Sequence, residues 1–392
     1  MKKLLKRLRY FKLQDLIAPF IFLIMILPSL IFRLINKIKN RHLWLICEDG
    51  NTARDNGYHF FKYVRNEHPN DYCFYVIDKN SKEYEKVKKY ENIIQFKSVK
   101  HWLYYMSAEY NISIHKHGNP CQSFFFIIHV IFNLYNNRVF LQHGIIKDNI
   151  EYIHYKNAKF KIFICGAKKE YEYVSSTYGY PEGSVVYTGL ARFDELHDNK
   201  TNIDQILIMP TWRNWLGGNR TNKTEFINSD YYKKWQSILN NQKLIKYLDS
   251  QNKIIYFYVH QHAQKYIDLF KTKSDRIKII DNSTLDIQYL LKTSSLLVTD
   301  YSSVFMDFAY MKKPVIYYQF DYKKFRNEHL KEGYWSYEKD GFGPIYEKED
   351  KLIDSIINIE SINWSKYRSR IDSFFERNDK KNCERIYDIL IK

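Results

Sequence analysis

From residue 43 onward, short apolar segments alternate with polar stretches of helical period, and this alternation limits the folds that the chain can adopt. Helical stretches such as 58–65 and 81–90 lie between several of the apolar segments. Such alternation is typical of βαβ units with a parallel sheet. We predict strands at 43–47, 72–77, 93–96, 111–114, 138–141, 161–164 and 185–188, then at 206–209, 253–259, 277–280, 296–299 and 315–318, with helices at 230–249, 285–293 and 304–311.

The polar stretch before residue 206 separates two series of strands, and each series is long enough for one doubly wound domain. The 392 residues therefore predict an α/β, GT-B-like fold, in which two Rossmann-type domains face a cleft behind an N-terminal membrane-associating helix. Ligands of such sheets bind outside the carboxyl ends of the strands, so site residues are expected directly after strands. The predicted boundaries are 1–41 for the basic and apolar segment, 42–197 and 198–363 for the two domains, and 364–392 for a final helix that could cross back.

The first 41 residues hold ten Lys or Arg and one acid, Asp15, in a chain whose net charge is +17. The basic residues bracket the apolar stretch 16–34, which is close to the length that spans a bilayer. No small-residue cleavage site follows, which argues against a signal peptide. Because both flanks are basic and Pro19 and Pro28 interrupt the stretch, we favour in-plane or re-entrant insertion at the cytoplasmic face over a single span or a buried core helix. A second apolar run, 123–132, predicts a buried helix or a further membrane patch.

The sequence lacks the motifs of several enzyme classes, and this limits the reactions that the protein is expected to catalyse. The sequence has no D-x-D pair, no G-x-G-x-x-G, no Walker A run and no G-x-S-x-G elbow, which disfavours metal-dependent transferases, dinucleotide enzymes, NTPases and hydrolases. The cysteines lie apart without zinc spacing, as in a reduced cytosolic protein, so we predict neither a metal nor a cofactor. The five cysteines are Cys47, Cys73, Cys121, Cys165 and Cys383.

The strongest local signal is the turn that follows the predicted strand 296–299. Asp300 to Ser303 form a polar turn that opens a helix, where free backbone N–H groups and two serine hydroxyls favour a phosphate, although a plain Ser N-cap has the same pattern. Arg213 follows the strand 206–209 and is expected to reach the cleft as a planar fork for a diphosphate, unless it forms an ordinary surface salt bridge. Asp300 suits either sugar hydroxyls or a cap of the turn.

The run T-D-Y-S-S-V-x-x-D-x-A-x-x-x-K-P-V that begins at Thr299 resembles the hallmark of the CDP-glycerol glycerophosphotransferase family, the teichoic acid polymerases. Other segments resemble motifs of that family in the same order. The resemblance covers roughly 140–346 and does not extend convincingly over 1–110. These segments are Leu141-Gln142-His143-Gly144 with Lys147, Thr188-Gly189-Leu190-Ala191-Arg192-Phe193-Asp194, Met209-Pro210-Thr211-Trp212-Arg213, and Gly333-Tyr334 with Gly343-Pro344-Ile345.

The resemblance implies roles for individual residues. His143 is the implied general base, although a satisfied loop histidine is the alternative. His260 is the implied contact of the donor phosphate or the alditol, with His262 in reserve. The chain departs from the family pattern at two places: Gln261 replaces an expected proline, and Ile145-Ile146 replace an expected Thr-Pro. The implied donor-side set is Thr211, Arg213, Thr299, Asp300, Ser302, Ser303 and Asp307, and Lys147, Arg192 and Gly144 are secondary candidates.

The implied reaction moves glycerol phosphate or ribitol phosphate from a CDP-alditol to a hydroxyl of a lipid-linked, polyanionic surface polymer, with release of CMP. A GT-B glycosyltransferase that uses a nucleotide sugar is the nearest rival. A catalytically inactive membrane scaffold also stays open, whereas a nucleic-acid-binding protein is disfavoured because the basic cluster brackets an apolar anchor. The choice of alditol, the acceptor and any homo-oligomer stay open.

Overall fold

A computed structural model describes residues 13–198, 200–217, 221–281 and 286–392. Most of the basic N-terminal flank (1–12) and Leu285, at the start of the predicted helix 285–293, lie outside the described residues. The described chain divides into two compact units. The first unit consists of the described part of Met1–Ile145 with Glu151–Asp194 and Asp379–Lys392, and the second of Ile146–Ile150 with Glu195–Asn378.

Most strands of the two parallel sheets are short and largely buried, as expected for parallel sheets covered on both faces. In chain order they are β1 (Trp44–Ile46), β2 (Cys73–Ile77), β3 (Ile93–Gln95), β4 (Tyr110–Ser113), β5 (Arg138–Phe140), β6 (Asp148–Asn149), β7 (Ile162–Cys165), β8 (Val185–Tyr187), β9 (Asn202–Met209), β10 (Ile254–Tyr258), β11 (Ile277–Ile280), β12 (Ser294–Thr299), β13 (Val315–Tyr318), β14 (Lys331–Glu332) and β15 (Ile345–Tyr346).

The helices follow the strands in the alternation that the sequence predicts. They are α1 (Leu13–Ile38), α2 (Asn56–Glu67), α3 (Tyr84–Lys88), α4 (Val99–Ser107), α5 (Gln122–Phe126), α6 (Tyr155–Ala158), α7 (Lys168–Thr177), α8 (Lys223–Asn228), α9 (Asp230–Ile238), α10 (Gln242–Ser250), α11 (Ile287–Thr293), α12 (Val304–Tyr310), α13 (Tyr322–Glu328), α14 (Tyr337–Asp340), α15 (Glu349–Ile357), α16 (Ser365–Phe374) and α17 (Asn382–Leu390). A π-helical turn covers Ile127–Ile131, and 3₁₀ turns cover Glu151–Ile153, Ala191–Leu196, Asn214–Leu216, Gln261–Leu269 and Ile359–Ser361.

The first unit contains one parallel sheet in the order β3-β2-β1-β4-β5-β7-β8. Successive residues of β1 point to opposite faces, so Trp44 packs in the core cluster that includes Phe60, while Leu45 packs in the cluster that includes Trp102. The chain reverses its direction of winding at β1, and the carboxyl ends of β1, β4 and β5 lie together at this switch point. His143 and its neighbours follow β5 at this edge.

Helix α1 packs along the first unit through one face. Phe22 lies 5.2 Å from Phe124 by ring centroids, and Ser107 donates a hydrogen bond to the Ser29 carbonyl at 3.1 Å. The stretch Asp15–Ile38 is long and apolar enough to cross a membrane by length and composition, with a mean hydropathy of 2.3. The alternative of a buried core helix is wrong, because 11% of that stretch is buried.

The second unit contains a parallel sheet in the order β11-β10-β9-β12-β13-β15, together with the antiparallel pair β14-β6. Trp235 of α9 is fully buried in the core on one face, with Phe257 of β10 and Val298 of β12. The winding reverses between β9 and β12, so the segments after Met209 and Thr299 lie side by side at the carboxyl edge. The α/β class with two doubly wound sheets therefore agrees with the prediction.

Two predicted helices are each interrupted. The stretch 230–249 forms α9 and α10, because Asn241 accepts hydrogen bonds from the N–H groups of Lys243 and Leu244, both at 3.1 Å, and so starts a new helix. The tail 364–392 forms α16 and α17 instead of one helix. Asp194 accepts hydrogen bonds from the N–H groups of Asn382 and Cys383 at 2.9 and 2.8 Å, which places α17 on the first unit.

Candidate active site

The imidazole of His143 is presented to solvent at the carboxyl edge of the first sheet. The chain leaves β5 through Leu141 and Gln142, and Gln142 adopts a left-handed conformation with φ +64° before Gly144 continues the loop. Gln142 is fully buried, whereas 66% of the His143 side chain is exposed. The turn therefore anchors one residue in the core and directs the next one outward.

Asp55 holds this imidazole from one side. Its Oδ2 contacts Nδ1 of His143, and its Oδ1 accepts a hydrogen bond from Nη1 of Arg192 at 2.8 Å. The same Nη1 donates to the His143 carbonyl at 3.0 Å. Asp55 also caps α2, because Oδ1 accepts the N–H of Asn56 at 2.7 Å. One carboxylate therefore joins a helix start, a guanidinium and the exposed ring.

Asn56 and Glu48 fix the position of Asp55. The Asn56 amide donates to the Gln142 carbonyl at 2.9 Å and accepts the N–H of Arg192 at 3.0 Å, so it ties α2 to both other segments of the site. Glu48 is buried after β1 and accepts the N–H groups of Asp55 and Tyr58, both at 3.0 Å. These hydrogen bonds fix the backbone conformation of the loop before α2.

The charges around His143 orient its ring and stabilise its protonated form, as a general base requires. The Asp55 carboxylate raises the pKa of His143, while burial opposes this effect. Burial tends to raise the pKa of Asp55, but Arg192 and His143 outweigh it, so this pKa lies below its usual range. Because the Asp55 carboxylate accepts the Nδ1 proton, the lone pair of neutral His143 lies on Nε2. Burial, with the nearby Asp55 charge, raises the pKa of Glu48 to about 7.

His115 is a second imidazole beside the first. It follows β4, and its ring centroid lies 5.3 Å from that of His143 at an angle of 40°. Burial lowers the pKa of His115 to about 4, and His143 adds to this effect. The ring is therefore neutral near pH 7 and adds no positive charge beside the base.

In the second unit, Thr299 and Asp300 join the ends of β12 and β9 from inside. The Thr299 hydroxyl donates to the Met209 carbonyl at 2.6 Å, and Asp300 Oδ1 accepts the N–H groups of Thr211 and Tyr301 at 2.8 and 2.6 Å. Thr299 and Asp300 are fully buried, and Thr211 is 9% exposed. The carboxylate of Asp300 thus caps the turn from below, which is the second of its two predicted roles, and a contact with sugar hydroxyls stays a prediction.

Arg213 is buried, contrary to the expectation that it reaches solvent as a diphosphate ligand. Its side chain is 0% exposed and pairs with Asp300 at 2.9 Å and with Asp321 through Nε at 2.8 Å and Nη2 at 3.0 Å. Burial tends to lower the pKa of Arg213, but the two carboxylates outweigh it and raise the pKa. The guanidinium holds the segments after β9, β12 and β13 together, because a bidentate carboxylate pair uses its planar fork.

Ser302 and Ser303 are the part of this turn that reaches the surface. Both are half-buried and directly precede α12, and Ser303 occupies the N-cap position without a side-chain capping bond. Asp307, in the first turns of α12, is 2% exposed, so it does not reach the surface, and its role in donor binding stays a prediction. Within the hallmark motif, Ser302 and Ser303 therefore reach the surface. The residues on either side of the two serines support the turn.

Three histidine rings surround the indole of Trp212, which follows β9. The ring centroids of His262 and His329 lie 4.8 and 4.9 Å from the indole, and that of His260 lies 6.2 Å away. His260 accepts the N–H of His262 on Nδ1 at 3.2 Å and caps the 3₁₀ turn that follows β10. The structure therefore brings His260 and His262 together at the carboxyl edge of the second sheet, and adds His329.

Lys147 is a buried member of the second unit. It contacts Asp148, which also pairs with Arg326, and the Lys147 side chain is 4% exposed. Burial lowers the pKa of Lys147, although Asp148 opposes this. Arg192 and Gly144 lie in the first unit, at the Asp55–His143 pair. Within the residues that the structure describes, no group of three His, Cys, Asp or Glu side chains is placed to hold a metal ion.

Sequence reasoning missed Asp55, Glu48 and His329. Asp55 had a recognisable signal, because Asp-Asn-Gly before a helical stretch is a typical N-cap pattern that follows the first strand. His329 had none, since it lies at the end of α13, 115 residues along the chain from Asn214, whose N–H it accepts. Both contacts depend on which strand ends become neighbours in the sheets.

The fold defines the class of protein. The chain has a TM-score of 0.66 to a solved structure of the wall teichoic acid polymerase TagF, at 17% identity, covering 97% of this chain and 98% of that chain. The α/β, GT-B-like class is thereby confirmed. A structure of a TagF histidine variant soaked with CDPG has the same TM-score, at 17% identity, and covers 93% of this chain and 96% of that chain.

Residues 29–392 match the model of the family described as CDP-glycerol:poly(glycerophosphate) glycerophosphotransferase, and the chain belongs to this family. The minor teichoic acid biosynthesis protein GgaB of Bacillus subtilis (strain 168) is 34% identical over 379 residues, which are 92% of this chain and 41% of that protein. The ribitol-phosphate polymerase TarK of Staphylococcus aureus is 26% identical over 56% of this chain and 43% of its own length. The chain thus spans less than half the length of these relatives.

Proposed function

We propose that the protein transfers glycerol phosphate or ribitol phosphate from a CDP-alditol to a hydroxyl of a teichoic-acid-type surface polymer, with release of CMP. The observation that carries the proposal is the His143 imidazole, exposed at a sheet edge and held on Nδ1 by the buried carboxylate of Asp55. Membership of the glycerophosphotransferase family supports the reaction class. The relatives named for glycerol-phosphate and ribitol-phosphate polymers support the two donors.

His143 is the proposed general base. Its Nε2 removes the proton of the acceptor hydroxyl, and the Asp55 carboxylate stabilises the imidazolium that results. The acceptor oxygen then forms a bond to the phosphorus that carries the alditol. The bond from that phosphorus to the bridging oxygen breaks, and the electron pair leaves with CMP. Phosphoryl transfer needs mainly positioning and charge stabilisation, so an oriented base and hydrogen-bond donors suffice.

The second unit is the proposed donor site. Ser302 and Ser303 present half-buried hydroxyls at the switch point of its sheet, where nucleotides bind in doubly wound folds. His260 donates from the same edge, because its Nδ1 accepts a backbone N–H and its ring proton therefore lies on Nε2. Arg213, Asp300 and Thr299 support this edge from below. The solved TagF variant with CDPG supports a cytidine diphosphate donor.

The test is a donor panel with purified protein. CMP release from CDP-glycerol and CDP-ribitol, and UDP release from several UDP-sugars, are followed in the presence of a glycerol-phosphate oligomer on a lipid-like anchor. We expect release with one CDP-alditol, a loss of about 10²- to 10⁴-fold in kcat for His143→Gln, and normal activity for the exposed control His42→Gln. Release of UDP from a UDP-sugar, without CMP release from either CDP-alditol, would favour the nucleotide-sugar transferase instead.

A second readout separates the donor site from the base. Replacing Ser302 and Ser303 together by alanine should raise the KM for the CDP-alditol about tenfold, because two hydrogen bonds to a charged group are lost. The double variant should still unfold at the temperature of the unmodified protein, since the buried support of the turn is intact. An unchanged KM would remove these hydroxyls from the donor site.

We further propose that the protein lies at the cytoplasmic face of the cell membrane, with α1 in the plane of the interface. Leu16, Phe20, Leu23 and Leu27 are 60–66% exposed on its outer face, while the opposite face packs on α4 and α5. A helix that spans a bilayer is surrounded by lipid or by other spanning helices. A helix held along its length by a folded unit instead buries one apolar face in the interface. This location suits a lipid-linked acceptor.

A further inference from the structure

The hydrogen-bond partners of the histidine rings divide them into two chemical types. His143 directs Nδ1 toward a carboxylate, so its Nε2 carries the lone pair. His329 is the reverse, because its Nδ1 lies 2.9 Å from the backbone N of Asn214, whose N–H can only donate. The Nδ1 atom of His329 therefore carries the lone pair, and the ring proton lies on Nε2. His329 is a hydrogen-bond donor rather than a base.

The ring of His329 is also held in place. Its centroid lies 4.6 Å from that of Phe325, with the two planes at 19°, so the rings are stacked. The Trp212 indole contacts the same ring at 4.9 Å and 74°, in an edge-to-face arrangement. Three contacts on three sides restrict the ring to one orientation, and the direction of its Nε2–H bond is fixed before any ligand binds. A preorganised donor loses little entropy on binding.

His329 lies at the ligand-binding edge of the second sheet. Trp212 and Asn214 follow the carboxyl end of β9, and α13, which ends directly before His329, follows the carboxyl end of β13. Strand β12, which leads to Ser302, lies between β9 and β13 in the sheet. Parallel strands bring these segments to one edge, so His329 and the serine hydroxyls belong to the same edge.

The ring of His329 stays neutral among charges of both signs, since the cations Arg213 and Lys147 and the carboxylates Asp148 and Asp321 all act on it. Burial lowers the pKa of His329 to about 4, and the guanidinium of Arg213 and the ammonium of Lys147 add to this effect. A neutral imidazole in such surroundings keeps its Nε2 proton throughout the physiological range. A fixed N–H donor suits an anionic acceptor, such as a phosphate oxygen.

We propose that His329 binds the nucleotide donor by donating its Nε2–H to an oxygen of the diphosphate. The inference rests on the proposed function and extends it, because it adds a residue to the donor site that lies outside the recognised motifs. His260 has the same tautomer, since its Nδ1 accepts the N–H of His262. The Trp212 indole contacts both rings, so it positions two imidazoles at one edge.

Binding of CDP to the full chain tests the assignment without turnover. Isothermal titration calorimetry compares the unmodified protein with His329→Phe, which retains the stacking on Phe325 but lacks the N–H, and with His329→Gln, whose amide N–H extends to the region of Nε2. His42→Phe is the matched control at an exposed histidine. We expect His329→Phe to weaken CDP at least about tenfold, and His329→Gln and His42→Phe to stay within about threefold of the unmodified protein.

The outcomes distinguish the inference from the function on which it rests. Unchanged CDP affinity in His329→Phe, with tight binding by the unmodified protein, would overturn the role of His329 alone. Absence of CDP binding by the unmodified protein would overturn the proposed function as well. Cytidine, followed by ligand-observed NMR, should lose no affinity in the variant, and an equal loss would place the contact on the nucleoside. If His329→Phe unfolds at a lower temperature than the control, the titration is repeated with His329→Leu. The CDP affinity of that variant then decides whether the N–H of His329 contributes to binding.

Discussion

Replacement of Asp55 by asparagine removes the charge that orients His143 and keeps nearly the same shape. Asparagine is as good an N-cap as aspartate, so α2 keeps its first hydrogen bond. Its amide can donate to Nδ1 of His143, which would move the ring proton to Nε2 and occupy the lone pair that the base needs. The substitution therefore tests the chemistry of the pair with little change in packing.

The expected magnitude follows from the contacts. General-base catalysis contributes about 10²- to 10⁴-fold, and a wrong tautomer forfeits most of it, so kcat should fall within that range. The Asp55 and Arg192 side chains are 10% and 12% exposed, so the loss of their ion pair should also lower the free energy of unfolding by about 1–3 kcal/mol. The second effect lowers the stability of the first unit without changing the rate per folded molecule.

The pH dependence separates these two effects. Asp55 raises the pKa of His143, and the reaction needs the neutral ring, so the rate of the unmodified protein rises with pH through that raised pKa. In Asp55→Asn the pKa of His143 falls, and the acid limb of the profile should move to lower pH while the plateau drops. CMP release from the preferred CDP-alditol, measured from pH 5 to 9, gives both quantities.

Asp194→Asn is the matched control. Asp194 is another capping carboxylate of the first unit, and it accepts the N–H groups at the start of α17 without touching His143. We expect this variant to lose stability and to keep the pH profile of the unmodified protein. If Asp55→Asn retains kcat within threefold and an unmoved acid limb, the assignment of His143 as a base oriented by Asp55 is refuted.

Two further substitutions test the support of the donor edge and the membrane face. Arg213→Met leaves two buried carboxylates, Asp300 and Asp321, without their cation, so thermal or urea unfolding should show a loss of about 3–5 kcal/mol. A variant as stable as the unmodified protein would show that the ion pairs contribute little. Leu23→Glu with Leu27→Glu places charges on the outer face of α1, and co-sedimentation with anionic vesicles should fall more than about tenfold. Equal sedimentation would mean that another surface binds the membrane.

The sheets of both units were predictable because their strands are short apolar runs with turn residues between them. Strands near 72–77, 206–209 and 315–318 appear where the sequence places them, since a buried parallel strand needs apolar residues on both faces. The helix breaks near Asn241 and before Asn382 were missed. In each case a side chain caps a new helix, and at Asn382 the capping carboxylate belongs to Asp194, 188 residues away.

The positions of the candidate residues were predictable to the same extent, but their partners were not. The rule that ligands bind after strands located His143, His260 and the turn at Ser302. The sequence by itself thus determines the two α/β sheets, the family and the edge where the chemistry is expected, because these depend on local apolar pattern and short motifs.

Only the tertiary structure decided which of these side chains reach solvent. It buried Arg213 against Asp321, 108 residues away, and it supplied Asp55 to His143 across 88 residues. Whether a guanidinium meets a ligand or an internal carboxylate depends on which strand ends are neighbours, and that order comes from pairing between distant segments. The local sequence determines which functional side chains follow each strand. The order of the strands in each sheet determines which other side chains they contact.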